Sequence, residues 1–195
     1  MEIIPLLHVK NRKIRGRAEK RIFSLNDLSK LLNSEKKVYI TDTDGIKSEK
    51  PNINLYQKIS EKYTLWIDAG PRNIGDIVDF TMAGATMITI RRELFNEQDL
   101  ESIKEIVEAK IYIDVNLQNH QKNYLLNSIS SNIDGIIVFP DKNQINTDFK
   151  LNEKIKMLCR KYNTYIAESD KKKASYWKTM GAVGILTDAE NLKTF

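Results

Sequence analysis

Eight short hydrophobic segments recur along the chain at near-regular spacing, and each interval between them is long enough to hold a helix. Nearly continuous apolar segments of this length are typical of strands buried on both faces. Strands that alternate with helical intervals are typical of a parallel sheet, and eight such units predict a closed (β/α)8 TIM barrel. The predicted strands are residues 3–9, 38–41, 65–67, 86–90, 110–113, 135–139, 164–167 and 184–187.

The intervals carry the periodicity and the capping residues of helices. Ser24 is a good N-cap for a helix over 25–33, and Gly84 is a C-cap for a helix over 74–83. The basic segment 10–21 is predicted as a long loop, and Asp42 is predicted to open an acidic turn. Further helices are predicted after Asn54 and over 96–107, 121–128, 148–160 and 174–180.

The sequence predicts a single domain over residues 1–195, because no linker rich in Pro, Gly or Ser divides it. Barrels of this class typically need about 250 residues, so we expect a compact barrel with shortened helices and loops. No apolar segment approaches the roughly 20 residues of a membrane span. The single cysteine, Cys159, excludes an internal disulfide. These features indicate a cytoplasmic protein with no membrane segment.

The net charge of +5 is unevenly spread, because seven basic residues fall in segment 10–21 with only Glu19 opposing them. Residues 171–173 form a second basic cluster. Such clusters are typical of solvated loops, of sites for small anions or of nucleic-acid surfaces. No aromatic interleaving or nucleic-acid motif supports the last, so the expected partner is a small anionic molecule.

Several predicted strands end in an ionisable residue, at the edge of a parallel barrel where active sites lie. Two of these residues, His8 and Asp114, form a candidate acid–base pair. Histidine has the free pKa closest to neutral, so His8 is suited to take and give a proton near pH 7.

Three motifs occur in order in the first half of the chain. They are Ile4-Pro5-Leu6-Leu7-His8-Val9, Asp42-Thr43-Asp44-Gly45, and Asp68-Ala69-Gly70-Pro71-Arg72 followed by Ala83-Gly84-Ala85. With them the whole chain resembles the phosphoribosylformimino-AICAR ribotide isomerase of histidine biosynthesis and its sister, the cyclase subunit of imidazole glycerol phosphate synthase. It is also similar to an archaeal and methylotroph branch related to the isomerase.

The resemblance implies a barrel isomerase that rearranges a phosphorylated sugar by Amadori-type chemistry with two acid–base groups and no cofactor. The family carries an aspartate after strand five, which Asp114 matches, and an aspartate at the end of strand one, where this chain has His8. The candidate substrate-binding residues are Asp42, Asp44, Asp68, Gly70, Arg72, Arg91 and Glu168.

The chain departs from the family where phosphate binds. The family uses glycine-rich turns after strands three and seven, whereas these turns read Asp68-Ala69-Gly70 and Glu168-Ser169-Asp170 here. Carboxylates repel a phosphate dianion, and side chains block close approach of the backbone. An arginine fork at Arg91 or Arg72, together with segment 10–21, is expected to supply the anion contacts instead.

Three functions stay open at this level. The first is an isomerase-type enzyme that acts on a phosphorylated or otherwise anionic sugar-type metabolite. The second is a different enzyme whose acidic turns bind a cationic or metal-linked substrate of a cofactor pathway, and the third is a non-catalytic binding barrel. Asp42 and Asp44 also fit a plain turn signal, and no residue spacing is diagnostic of a metal site, so none is predicted.

Overall fold

The computed structural model of the chain describes residues 1–17, 21–32, 35–117, 132–140 and 149–193. Eight parallel strands form a closed barrel, as the hydrophobic pattern predicts, and two further short strands extend its wall. Closure comes from β1, which pairs with β4 on one side and with β10 on the other. The strands are β1 (Glu2–Lys10), β2 (Lys13–Arg15), β3 (Ile22–Phe23), β4 (Lys37–Asp42), β5 (Thr64–Asp68), β6 (Ala85–Ile90), β7 (Lys110–Asn116), β8 (Gly135–Phe139), β9 (Thr164–Ala167) and β10 (Gly184–Asp188).

The helices between the strands are short, which is how a chain of this length completes the barrel. The α-helices are α1 (Leu25–Leu32), α2 (Thr43–Ser48), α3 (Ile53–Ser60), α4 (Ile74–Met82), α5 (Ile103–Ile106), α6 (Phe149–Lys161) and α7 (Ala174–Thr179). Short 3-10 helices cover Glu97–Leu100, Lys171–Lys173 and Ala189–Lys193. The predicted helix over 121–128 lies outside the described residues, and the helix predicted over 96–107 is divided between a 3-10 turn and α5.

Local capping signals place two helix ends correctly. The backbone N–H of Ser24 donates to the carboxylate of Asp27 at 2.8 Å, and the N–H of Asp27 donates back to the Ser24 hydroxyl at 3.3 Å. This reciprocal pair is a capping box at the start of α1. Gly84 follows α4 with a φ of 94°, a left-handed conformation that glycine adopts without strain.

The prediction of a long loop over 10–21 is wrong, because its first part is a β-hairpin. β1 continues to Lys10 and turns through Asn11 and Arg12, both with positive φ, into the antiparallel strand β2. The carboxylate of Asp44 accepts the backbone N–H groups of Asn11 at 2.9 Å and Arg12 at 3.0 Å. The turn is therefore stabilised by a residue more than 30 positions away in the chain. The basic composition of the segment does not indicate such a turn.

Aromatic side chains fill the middle of the barrel. The indole of Trp66 is fully buried, and its ring centroid lies 5.3 Å from that of Tyr39, 4.2 Å from that of Tyr112 and 4.9 Å from that of Tyr165. This packing fills the middle of the barrel, and two described clefts lie where its strands end. None of the helices in the described part of the chain has the length and hydrophobicity needed to cross a bilayer.

Candidate functional site

The C-terminal mouth of the barrel is divided into two lobes, with Phe139 and Pro140 lining both. The Asp114 lobe is a cleft of about 370 Å³, and its polar wall includes Arg91, Glu93, Asp114 and Asn116. The His8 lobe is a cleft of about 260 Å³, and its polar wall includes His8, Arg17, Thr41, Glu168, Ser169 and Asp188.

Strand alternation explains which ionisable residues reach the mouth. Side chains two positions apart on a strand share a face. Asp68 follows the interior residue Trp66 by two positions, and Asp114 follows Tyr112 in the same way. His8, Arg91 and Asp188 likewise follow interior residues of β1, β6 and β10. The strands therefore bring these five side chains to one end of the barrel.

Asp114 is half-buried, and one of its two carboxyl oxygens already accepts a hydrogen bond from the protein. Its Oδ1 accepts the backbone N–H of Arg92 at 3.0 Å, and no described residue donates to Oδ2. Burial raises the pKa of Asp114, and the Arg92 N–H and the positive charge of Arg91 only partly oppose this. The carboxyl group is therefore biased toward its protonated form, which is the form that donates a proton.

Arg91 is fixed beside Asp114 by a fully buried carboxylate. Its Nε donates to Oδ1 of Asp68 at 2.8 Å, and its Nη2 donates to Oδ2 at 2.7 Å. The hydroxyl of Tyr39 donates to the same Oδ2 at 3.0 Å. Burial lowers the pKa of Arg91, but the charge and hydrogen bonds of Asp68, together with Tyr39 and Asp114, raise it overall, so the guanidinium stays charged. Its Nη1 is the nitrogen left for a ligand.

His8 is hydrogen-bonded to a carboxylate at the edge of the other lobe. Its Nε2 lies 2.8 Å from Oδ1 of Asp188, and Nη1 of Arg17 lies 3.2 Å from Oδ2 of the same carboxylate. The side chain of Asp188 is 10% exposed and that of His8 is 34% exposed. No described residue forms a hydrogen bond with Nδ1 of His8, so this nitrogen is the one available for proton transfer.

Glu168 lines the His8 lobe, but both of its carboxylate oxygens accept hydrogen bonds from neighbouring groups of the protein. It is 3% exposed, its Oε2 accepts the indole N–H of Trp177 at 3.2 Å, and its Oε1 accepts the N–H of Asp170 at 3.0 Å. The ammonium of Lys173 lies 3.8 Å from Oε2. These contacts tie β9 to α7 and leave the carboxylate at the margin of the lobe.

Asp42 lies outside both lobes and caps α2 instead. It follows Thr41 by one position, so its fully buried carboxylate faces the helices rather than the barrel interior. It accepts the N–H of Asp44 at 2.9 Å and the N–H of Asn52 at 2.9 Å. The hydroxyl of Tyr56 also donates to Asp42, and burial together with this carboxylate raises the pKa of Tyr56.

Two other residues predicted to bind substrate, Asp44 and Arg72, likewise form described hydrogen bonds that stabilise the fold. Asp44 holds the β1–β2 turn. Burial acts to raise the pKa of Asp44, but the hydrogen bonds that it accepts from the backbone N–H groups of Asn11 and Arg12 contribute to a net lowering. Arg72 donates through Nη2 to the carbonyl of Ile46 at 2.7 Å and through Nη1 to the carbonyl of Gly70. Gly70 has a φ of 63°, and a Cβ there would lie 2.9 Å from Nη1 of Arg72.

The structure thus brings together five of the nine predicted site residues: His8, Asp68, Arg91, Asp114 and Glu168. Asp42, Asp44, Gly70 and Arg72 do not line either lobe. Sequence reasoning missed the roles of Arg17 and Asp188 in the His8 lobe. Asp188 ends a predicted strand with a charge, which was a usable signal, whereas nothing in segment 10–21 distinguishes Arg17 from its basic neighbours.

Within the described residues, no group of three or more His, Cys, Asp or Glu side chains is arranged to hold a metal ion. Comparison of the sequence with protein-family models and with curated proteins gives no match. The case for a function therefore depends on the chemistry of the two lobes.

Proposed function

We propose that this barrel is an acid–base enzyme of the isomerase type that acts on a small anionic, sugar-type metabolite. The observation that carries the proposal is Asp114, a carboxyl with a raised pKa and one oxygen to which no described residue donates, in a cleft beside a fixed arginine. A histidine whose Nδ1 has no hydrogen bond from the described part of the chain lines the adjoining lobe. Together they supply a proton donor and a proton acceptor at one barrel mouth.

The two groups suit the two proton transfers of an aminoaldose-to-aminoketose rearrangement. Protonation of the ring oxygen opens the sugar to an imine, and removal of the proton from the neighbouring carbon gives an enolamine that tautomerises to the ketone. We assign ring-oxygen protonation to Asp114, since burial raises its pKa and so eases its protonation. We assign removal of the carbon-bound proton to Nδ1 of His8, since Nε2 is held by Asp188.

The anionic character of the substrate follows from the arginines. Nη1 of Arg91 is open to the Asp114 lobe, and Arg17 lines the His8 lobe with a side chain that is 51% exposed. Guanidinium groups bind carboxylates and phosphates through directed hydrogen bonds, which compensates for glycine turns that are absent here. A sugar-type substrate would place its hydroxyls against the amide and hydroxyl side chains of Asn116, Thr41 and Ser169.

Hydrogen exchange into the substrate tests the proposal directly. The purified chain is incubated in D₂O with the histidine-pathway aminoaldose ribotide or with simpler phosphorylated aminoaldoses. NMR follows ketose formation together with deuterium at the former imine carbon of the ketose, where the enolamine is reprotonated, and at the neighbouring carbon of recovered aldose, where the proton is removed and can return. The expected result is enzyme-dependent deuterium incorporation with at least one substrate. General acid–base groups typically contribute about 10²–10⁴-fold, so His8→Gln and Asp114→Asn should each lower the rate by that order.

A matched variant separates chemistry from folding. Asp79→Asn changes an exposed carboxylate on α4, away from the mouth. This variant should keep the rate of the unaltered chain. Equal rates for all three variants, or no exchange with any phosphorylated aminoaldose, would remove the isomerase proposal.

A non-catalytic binding barrel is the second candidate function. One observation favours it: His8 and Asp114 line different lobes, and His8 is hydrogen-bonded to the carboxylate of Asp188. A binding barrel would take up phosphorylated sugars, detected as an upward shift of its unfolding midpoint, without any deuterium exchange. The same two measurements therefore discriminate the candidates.

A further inference from the structure

We propose that Asp188 is a positioning residue, which holds the His8 imidazole with Nε2 protonated so that Nδ1 is the nitrogen that exchanges protons with a substrate. This inference rests on the proposed acid–base function and gives the contact between Asp188 and His8 a role in it. It concerns the closing seam of the barrel, where the first and last strands meet.

The seam fixes the distance between the two residues. β1 and β10 are paired in parallel, with Leu6 opposite Asp188, so His8 lies one further step along the same inward face of β1. The Nε2–Oδ1 distance of 2.8 Å is that of a charge-assisted hydrogen bond. Because a carboxylate only accepts hydrogen bonds, the ring nitrogen that faces Asp188 must carry the proton.

The second oxygen of Asp188 is held as well. Nη1 of Arg17 lies 3.2 Å from Oδ2, and the backbone N–H of Arg17 donates to Oε2 of Glu190 at 3.1 Å. Glu190 also lies against Gly16, where a Cβ would come within 2.6 Å of its Oε2. The segment after β2 is thus docked onto the residues that follow β10. With both oxygens engaged, the carboxylate has one orientation, and this orientation aligns the imidazole.

The test observes the ring N–H itself and needs no substrate. The sequence has two histidines, so His8→Gln assigns the imidazole signals of His8 in a ¹⁵N-labelled chain. At low temperature and at a pH where the ring carries a single proton, we expect an Nε2–H proton that exchanges slowly with water and an Nδ1 with the shift of an unprotonated nitrogen. Asp188→Ala should accelerate the exchange of this proton roughly tenfold or more, since the charge-assisted bond is lost.

Two further variants keep the inference falsifiable. Asp188→Asn retains an oxygen acceptor without the charge and should give an intermediate exchange rate, and its spectrum replaces that of the alanine variant if the latter fails to fold. Asp170→Ala removes an exposed carboxylate that caps Lys171–Lys173 and should change nothing. A proton on Nδ1 of His8 in the unaltered chain, or unchanged exchange in both Asp188 variants, overturns the inference.

Failure of the inference is distinguishable from failure of the proposed function. One outcome is that the Nε2–H of His8 exchanges slowly with water, loses this protection in the Asp188 variants, and belongs to a chain that never exchanges substrate hydrogen. This outcome would support the proposed orientation of the imidazole and contradict the isomerase proposal. Substrate exchange that depends on His8 but not on Asp188 would remove only the positioning role.

Discussion

Arg91 holds the carboxylate of Asp68 through two parallel hydrogen bonds of 2.8 and 2.7 Å beneath the mouth of the barrel. The carboxylate is fully buried and the arginine side chain is 25% exposed, so the positive end of the pair faces the cleft. This relationship makes Asp68 a support for Arg91 rather than a ligand in its own right.

Replacing the arginine of this pair should lower the free energy of unfolding substantially. Arg91→Leu leaves the carboxylate of Asp68 buried with only the Tyr39 hydroxyl as a described donor, and we expect a loss of about 3–5 kcal/mol in the free energy of unfolding. The double variant Arg91→Leu with Asp68→Leu should recover much of that loss, because no uncompensated charge is left. Urea denaturation of the three chains measures both effects, and a single-variant loss below about 1 kcal/mol would contradict the expectation.

The raised pKa of Asp114 predicts a pH-dependent gain in stability for Asp114→Asn. A carboxyl whose pKa is higher in the folded chain than in the unfolded chain stabilises the fold below its unfolded pKa, and this contribution is lost as pH rises through the folded pKa. Since asparagine does not ionise, the variant should unfold at higher denaturant concentration at pH 7, with the difference shrinking toward acid pH. Denaturation midpoints across the pH range provide the measurement; a gain that grows toward acid pH would contradict it.

The hydroxyl of Tyr56 should contribute to stability through Asp42. Tyr56→Phe removes a donor from a fully buried carboxylate, and we expect a loss of about 1–3 kcal/mol. Tyr63→Phe is the matched control, because the Tyr63 hydroxyl has no hydrogen bond within the described residues, and it should change stability by about 0.5 kcal/mol or less. Equal effects of the two substitutions would show that Asp42 gains nothing from Tyr56.

Inorganic phosphate should stabilise the chain through the His8 lobe. Ligand that binds only the folded state adds RT ln(1 + [L]/Kd), so phosphate at about ten times its Kd raises the free energy of unfolding by about 1.4 kcal/mol. Arg17→Gln should reduce that gain by at least half, whereas Arg160→Gln, an exposed position on α6, should leave it intact. Thermal unfolding with and without phosphate decides between a contribution of Arg17 and a general salt effect, which both variants would share.

The barrel could be predicted from the sequence because its signals are local. Apolar segments of three to seven residues, the Ser24 capping box and the left-handed Gly84 each depend on neighbours close in the chain. The β1–β2 hairpin could not be predicted, since its turn is stabilised by Asp44, which follows the next barrel strand.

The site was only partly predictable for a related reason. Asp42 and Asp114 both follow apolar strands, yet one faces the helices and the other faces the mouth. Counting positions from the interior aromatic residues Tyr39 and Tyr112 separates the two, because an odd step reverses the face and an even step keeps it. The pairing of His8 with Asp188, by contrast, spans 180 positions and exists only because the barrel closes.

The aromatic layer around Trp66 fills the barrel interior beneath the mouth. Below it, Glu2 is joined to Lys37 at 2.5 Å and to the hydroxyl of Tyr165 at 2.8 Å, so described contacts also tie the far end together. In the proposed reaction, substrate and product would therefore share the mouth. Product departure and substrate arrival would then be mutually exclusive events, and a slow exit would limit turnover however fast the proton transfers are.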